Sequence, residues 1–150
     1  MTKQTLRILA GLFFILLLQT GCATHRSSQD DKTTAITAKE LVKSTKSWNG
    51  ESLPAYPQGQ PEITIMRISI PAGAKLHTHS HPVINAGVLV GGQLTVVTND
   101  GQTLHLKAGD PIVEVVNTMH HGVNDGDGPA EIIVFYAGTT GEPITVVGQP

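Results

Sequence analysis

From residue 62 onwards the chain alternates between short apolar segments and turn residues. In segment 63–70, Met66, Ile68 and Ile70 share one side of a predicted strand and Arg67 faces the other, because side chains alternate along a strand. Further strands are predicted at 75–81, 84–98 with a break at Gly91 and Gly92, 102–108, 111–117, 131–138 and 144–147. Asn99, Asp100 and Gly101 form a hairpin signal. Frequent turns and the lack of a helical period predict an all-β sandwich or barrel.

The first sixty residues follow a different pattern. Lys3 and Arg7 precede an uninterrupted apolar segment at 8–18, which is shorter than the roughly 20 residues that span a bilayer. A cleaved signal peptide is therefore predicted for 1–21, followed by a polar, flexible tether at 22–38 and one domain at 39–150. Within that domain, the first residues predict either a strand or a short helix, and a proline-rich stretch up to residue 60 predicts an irregular loop.

The segment LLLQTGCAT resembles the lipobox of bacterial lipoproteins. Thr20, Gly21 and Cys22 fit that pattern, whereas Gln19 stands where a leucine is usual. The resemblance implies cleavage before Cys22, lipid attachment to its thiol and, since Ala23 follows, a periplasmic protein anchored in the outer membrane. The alternative is an ordinary signal peptide followed by an unmodified cysteine.

Charge and cysteine content exclude several classes of function. Ten basic and twelve acidic residues, with no basic stripe, give no electrostatic footprint for nucleic-acid binding. Cys22 is the only cysteine, so the mature domain has no disulfide and no cysteine nucleophile within it. The chain also lacks a serine-hydrolase elbow, a phosphate-binding glycine loop and a dinucleotide fingerprint.

Three of the seven histidines occupy alternate positions in one predicted strand. In an extended segment His77, His79 and His81 project from the same face, so neighbouring imidazoles can converge on one metal ion. The alternative is a solvated row of histidines on an outer face.

Two sets of spaced residues surround these histidines. The first comprises Gly73, His79, His81, Asn85 and Gly92, and the second comprises Gly109, Val115, Asn117, His120 and Asn124. Their spacing resembles the two motifs of the cupin superfamily, and flanking segments resemble small single-domain bacterial cupins. The resemblance implies a double-stranded β-helix, or cupin jelly roll, with His79, His81 and His120 as metal ligands. It also implies a small-molecule ligand or substrate and, in many members, a homodimer.

Two departures from the motifs affect the interpretation. Val115 and Asn117 replace a proline and a glycine at turn positions, which leaves the fold prediction intact. Asn85 replaces the usual glutamate ligand, and its amide either binds the metal weakly or only forms hydrogen bonds. A neutral three-histidine site resembles that of iron dioxygenases in the superfamily, which favours Fe(II), while Mn, Zn, Ni or Cu stay open.

Two further residues are candidate catalytic groups. Glu114 shares its parity with inward-facing neighbours and is either a pocket acid or base or, slightly favoured, the partner of Arg67 or Lys107 in an ion pair. Tyr136 lines the cavity or belongs to the core. For His77 a rim position is favoured over a ligand, and His105 and His121 are expected outside the pocket. The resulting hypotheses are a metal-dependent oxygenase acting on a small organic molecule, a periplasmic binding lipoprotein, and a structural module.

Overall fold

The computed structural model describes residues 35–148, and no helix occurs among them. The nine strands are β1 (Pro61–Ile70), β2 (His79–Ser80), β3 (Ile84–Gly91), β4 (Gln93–Thr98), β5 (Thr103–Lys107), β6 (Pro111–Val113), β7 (His120–Val123), β8 (Ala130–Thr139) and β9 (Val146–Val147). A compact unit runs from Ala38 to Pro150. Residues 1–34, which hold the predicted signal peptide, Cys22 and most of the predicted tether, lie outside the described residues. No membrane-spanning helix is found within residues 35–148.

The strands form two antiparallel sheets that face each other. One sheet has the order β1-β8-β3-β6 and the other the order β5-β4-β7-β2-β9. Strands that are distant in sequence are therefore neighbours, as when the long β1 and β8 pair along ten residues. The architecture confirms the predicted all-β double-stranded β-helix.

The core forms where the alternating apolar residues of both sheets meet. Ile68 and Ile70 of β1 face inward while Arg67 faces outward, as predicted, although Met66 remains 40% exposed. On β8 the buried residues Ile132 and Val134 also alternate with exposed ones. Each fully buried aliphatic side chain contributes about 1.5–3 kcal/mol of transfer free energy.

Gly92 connects β3 of one sheet to β4 of the other. Its φ of 70° lies in the left-handed region, and an added Cβ would lie 2.5 Å from the carbonyl oxygen of Pro129. Both the dihedral angle and the close approach require glycine. The predicted break at this position is therefore a change of sheet.

The segment before β1 contradicts the prediction of a strand or short helix. Its only regular feature within residues 35–60 is an isolated bridge between Lys46 and Ser52 around a turn. The turn packs onto the end of β6. The backbone N–H of Trp48 donates to the Val113 carbonyl at 2.9 Å, and the Ser47 hydroxyl donates to the Glu114 carbonyl at 2.8 Å. These tertiary hydrogen bonds replace those of a local element.

Two predicted strands are shorter than expected around the histidines. Of segment 75–81 only His79–Ser80 is strand, and β6 ends at Val113 although the apolar pattern continues to residue 117. Pro82 lacks an N–H for a ladder hydrogen bond. Asn117 has a φ of 55°, which no regular strand accommodates.

Candidate metal centre

Three histidine rings meet inside the domain at the end where β2 and β7 pair. The ring centroids are separated by 4.9 Å for His79 and His81, 4.5 Å for His79 and His120, and 5.1 Å for His81 and His120. One ring nitrogen from each residue lies within 4.8 Å of the others. His81 and His120 are buried, and His79 is half-buried. The three residues could hold a metal ion.

Strand pairing brings these distant residues together. His79 and His120 are direct partners in the antiparallel pairing of β2 with β7, so their side chains lie side by side on the same face. His81 follows His79 by two residues and returns to that face. The spacing of the first motif and the register of the sheet therefore position one site.

Backbone carbonyls fix the tautomer of all three rings. Nδ1 of His79 lies 2.7 Å from the carbonyl oxygen of His77, Nδ1 of His81 lies 2.8 Å from that of Ile144, and Nδ1 of His120 lies 2.9 Å from that of Thr118. A carbonyl oxygen only accepts, so each Nδ1 carries the proton and donates it. Each Nε2 then keeps a free lone pair, which is the arrangement typical of metal-binding histidines.

Burial also keeps the rings uncharged. Desolvation lowers the pKa of His79 and of His120, and it lowers the pKa of His81 to about 4. The neighbouring imidazoles lower the pKa of His79 and His81 further, because two positive charges at this distance repel each other. The rings are therefore neutral at pH 7, the form that binds metal.

Asn117 holds the loop that carries His120. Its N–H donates to the carbonyl of His81 at 2.8 Å, and its φ of 55° is the only positive value at a non-glycine residue in the described part of the chain. Asparagine tolerates this left-handed conformation better than most residues do. Asn117 therefore performs the turn that a glycine performs in the second cupin motif.

Asn85 lies on β3 beside the cluster and is 1% exposed. Its Nδ2 donates a long hydrogen bond of 3.4 Å to the Val83 carbonyl, while its Oδ1 is buried with no partner among the described residues. An unpaired buried acceptor is costly, so it favours a bound donor or cation at this position. Asn85 is connected to the neighbours of the cluster, because it is the register partner of Tyr136 and its carbonyl accepts the Glu114 N–H.

Glu114 is the buried carboxylate of the site, and it does not form the predicted ion pair. Arg67 pairs with Glu131 and Lys107 pairs with Asp110 instead, because both basic residues lie on outer surfaces. The Glu114 Oε2 lies 3.8 Å from the Nε2 of His120. Burial raises the pKa of Glu114 to about 7, against smaller opposing effects from the Val115 N–H and His79.

Tyr136 lies on β8 directly opposite Asn85 and belongs to the hydrophobic core, the second of the two predicted alternatives. Its ring centroid is 5.4 Å from that of His81, and the side chain is buried. Burial, with a contribution from Glu114, raises its pKa to about 12. The phenol keeps its proton at neutral pH and can donate a hydrogen bond.

The remaining described histidines lie away from the cluster. His77 is exposed at the rim, as favoured, and His105 is exposed and hydrogen-bonded to Thr95 at 3.0 Å. His121 is half-buried on the opposite face of β7 from His120. His25 lies outside the described residues.

Sequence reasoning did not single out the turn that covers Glu114. Ser47 holds the Glu114 carbonyl, and the indole N–H of Trp48 lies near the carboxylate but misses hydrogen-bond geometry. The single tryptophan of the chain, placed in a polar stretch, was the available signal. The Ile144 carbonyl, which orients His81, carries no sequence signal because any residue supplies a carbonyl.

Fold and site together define a class of protein, a β-helix domain with a buried histidine cluster able to hold a metal ion. Residues 66–136 match the family model described as the cupin domain. A solved structure of an uncharacterized conserved protein with a double-stranded β-helix domain from Klebsiella pneumoniae is similar, with a TM-score of 0.51, 19% identity and coverage of 75% of this chain and 100% of that chain.

The DMSP lyase DddQ from Ruegeria pomeroyi is also similar, with a TM-score of 0.50, 19% identity and coverage of 59% of this chain and 44% of that chain. The chain thus spans less than half the length of the lyase. A comparison with curated protein sequences gives no significant match. At these identities the likeness shows the fold, and the match to the cupin domain model is confined to residues 66–136.

Proposed function

We propose that this domain holds a single Fe(II) ion and acts as an oxygenase on a small organic molecule. The observation that carries the proposal is the convergence of three neutral imidazoles whose Nδ1 protons are all tied to backbone carbonyls. Three protein nitrogens leave coordination positions open for a substrate. A bound ion supplies Lewis-acid chemistry and, when redox-active, electron transfer.

The other pocket residues suit binding of a polar substrate. Tyr136 keeps a phenolic proton to donate to a substrate oxygen, and the free Oδ1 of Asn85 accepts a hydrogen bond from a substrate hydroxyl or amine. In the metal-free site Glu114 has a pKa of about 7, so its carboxyl group can release its proton near neutral pH when an ion or substrate binds. These groups favour catechols, thiols or diketones, which chelate a metal through oxygen or sulfur.

Anaerobic reconstitution tests this function directly. We expect Fe(II) to bind with a stoichiometry near one and nitric oxide to change the spectrum of the reconstituted protein, since open coordination positions admit it. Oxygen uptake is then measured with catechols, thiols and diketones. A ferrous protein that gives no spectral change with nitric oxide would contradict an open site.

A binding function without turnover is the second candidate. The histidine cluster could hold a metal or ligand, and the N-terminal sequence resembles that of an exported lipoprotein. In this case the domain holds a small ligand or metal in the periplasm. Native mass spectrometry of protein purified from its own host separates the two functions. A stoichiometric organic ligand that survives purification unchanged favours binding.

We further propose that the protein is lipid-anchored at Cys22 in the outer membrane and faces the periplasm. The support is the sequence at Thr20, Gly21 and Cys22 after an apolar segment preceded by Lys3 and Arg7. We expect mass spectrometry of the N-terminal peptide to find diacylglyceryl on Cys22. Cys22→Ala is expected to release the protein from membranes, and a membrane-bound but unlipidated wild type would exclude the anchor.

A homodimer is proposed through the outer face of the β1-β8-β3-β6 sheet. Ile65 is 62% exposed and Phe135 is 45% exposed on this face. Ile133 on β8 and Val90 on the adjacent β3 extend the apolar surface. Flat apolar sheet faces pack well on each other, and a two-fold axis matches identical patches. Light scattering should give a dimer mass that Phe135→Lys reduces to the monomer mass; a monomeric wild type would contradict the interface.

A further inference from the structure

A buried carboxylate without a basic partner lies beside the three histidines. Glu114 is 8% exposed, and within residues 35–148 the Lys and Arg side chains that form ion pairs contact Glu131 and Asp110 instead. Buried carboxylates are normally paired with a cation or bind a metal. The only potentially cationic side chain in ion-pair range of Glu114 among the described residues is His120, whose ring is kept neutral by burial.

We infer that Glu114 is a direct ligand of the metal ion and supplies the carboxylate that the cupin motif places at the position of Asn85. The inference rests on the proposed metal centre and deepens it. The centre then has three imidazole nitrogens and one carboxylate oxygen, with the carboxylate carried by the segment after β6 and not by β3.

The distance between the two side chains fits two ligands of one ion. Oε2 of Glu114 lies 3.8 Å from Nε2 of His120, too far for a hydrogen bond. Two ligand atoms bound at about 2.1 Å to one ion can be at most about 4.2 Å apart. Nε2 is also the nitrogen of His120 that is left without a proton. An ion between these atoms would bind both the Glu114 carboxylate and the His120 imidazole, which do not hydrogen-bond to each other.

Backbone contacts hold Glu114 at this place. Its N–H donates to the Asn85 carbonyl at 3.1 Å, and its own carbonyl accepts the Ser47 hydroxyl at 2.8 Å. The Val115 N–H donates to Oε2 at 3.3 Å, and the Trp48 indole lies near the carboxylate. Groups around a ligating carboxylate commonly orient it in this way. The hydrogen bond to the Asn85 carbonyl also places Glu114 next to the motif position that it replaces.

The charge of the site gives the reason for a carboxylate. Three neutral imidazoles leave the charge of a divalent ion uncompensated in a buried pocket, which is unfavourable in a low dielectric. Asn85 contributes only an amide dipole. The Glu114 carboxylate neutralises one of the two positive charges of the ion. The free Oδ1 of Asn85 is then left to orient a donor on the substrate.

The test replaces Glu114 with the isosteric, uncharged glutamine. Chelator competition with Co²⁺ and Zn²⁺ on the purified mature protein measures affinity, and the visible spectrum of the Co²⁺ form reports the ligand set. We expect Glu114→Gln to lower the affinity by about 10–100-fold or more and to shift the Co²⁺ bands. Glu131→Gln, the same change on the outer face, is expected to leave both unchanged.

The outcomes separate this inference from the proposed function. If the wild type binds neither ion, the metal centre itself is wrong. If the wild type binds and Glu114→Gln binds within threefold of it, or binds with an unchanged Co²⁺ spectrum, the metal centre stands and the role of Glu114 as a ligand is overturned. Quenching of Trp48 fluorescence by Co²⁺ gives a second measure of the affinity of both proteins, because this single tryptophan lies near Glu114.

Discussion

Replacing His79 and His120 together by alanine is expected to abolish metal binding. The two residues are register partners, so the double variant removes two of the three histidine ligands from adjacent strands. His81 is the single imidazole that remains, and even together with the Glu114 carboxylate it offers too few ligands for tight binding. The loss in affinity should therefore exceed the roughly 10–100-fold typical of changes in groups that only support ligands. Elemental analysis of protein purified from its host and chelator competition on reconstituted protein measure the effect.

The matched control is a double replacement of exposed histidines. His77→Ala and His105→Ala together remove the same chemical groups, but both side chains lie outside the cluster. His79 keeps its hydrogen bond in this control, since the acceptor is the backbone carbonyl of residue 77. If the His79 and His120 variant retained the metal content of the wild type, the metal-centre proposal would fail and a structural role for the domain would gain support.

The fold was largely predictable because its signals are local. Alternation in β1 and β8, the hairpin at Asn99 to Gly101 and the break at Gly92 each depend on neighbours in sequence. The segment before β1 was not predictable in the same way. Trp48 and Ser47 donate hydrogen bonds to the carbonyls of residues 113 and 114, more than sixty positions away, and no local pattern encodes that contact.

The candidate site was also predictable only in part. The motif spacing identified His79, His81 and His120, and the structure brings their rings together. The predicted ion pair of Glu114 with Arg67 or Lys107 was wrong. Residue parity shows which way a carboxylate faces, but not which basic residues are near it. Asn117 shows the converse case, where a departure from the motif preserves its conformation: asparagine adopts the left-handed φ that the turn requires.

The stability of the metal-free protein should depend on pH in two opposing ways. Burial raises the pKa of Glu114 from 4.5 to about 7, so between these values the native state binds more protons than the unfolded state and stability falls as pH rises. Burial lowers the pKa of His81 from 6.5 to about 4, so in that interval the unfolded state binds more protons and stability rises with pH. The two contributions partly cancel in the wild type between about pH 5 and 6.5.

Glu114→Gln should separate these contributions. The variant retains the histidine contribution and loses the carboxylate one, so its unfolding free energy relative to that of the wild type should increase from pH 4.5 to pH 8. The gain should be about 2–4 kcal/mol, because the pKa differs by about 2.5 units between 4.5 and 7 and each unit corresponds to about 1.4 kcal/mol. Denaturant unfolding with a chelator present, at pH 5 and pH 8, measures it, with Glu131→Gln as the control.

Adding metal should reverse the order of stability. Ligands that bind only the native state stabilise it in proportion to their affinity, and the wild type with its carboxylate should bind more tightly than Glu114→Gln. The variant should therefore be the more stable protein without metal at pH 8 and the less stable one with saturating Zn²⁺. A stability difference that is independent of both pH and metal would contradict the burial of an ionisable carboxylate at this site, because neither protons nor cations would then distinguish the two proteins.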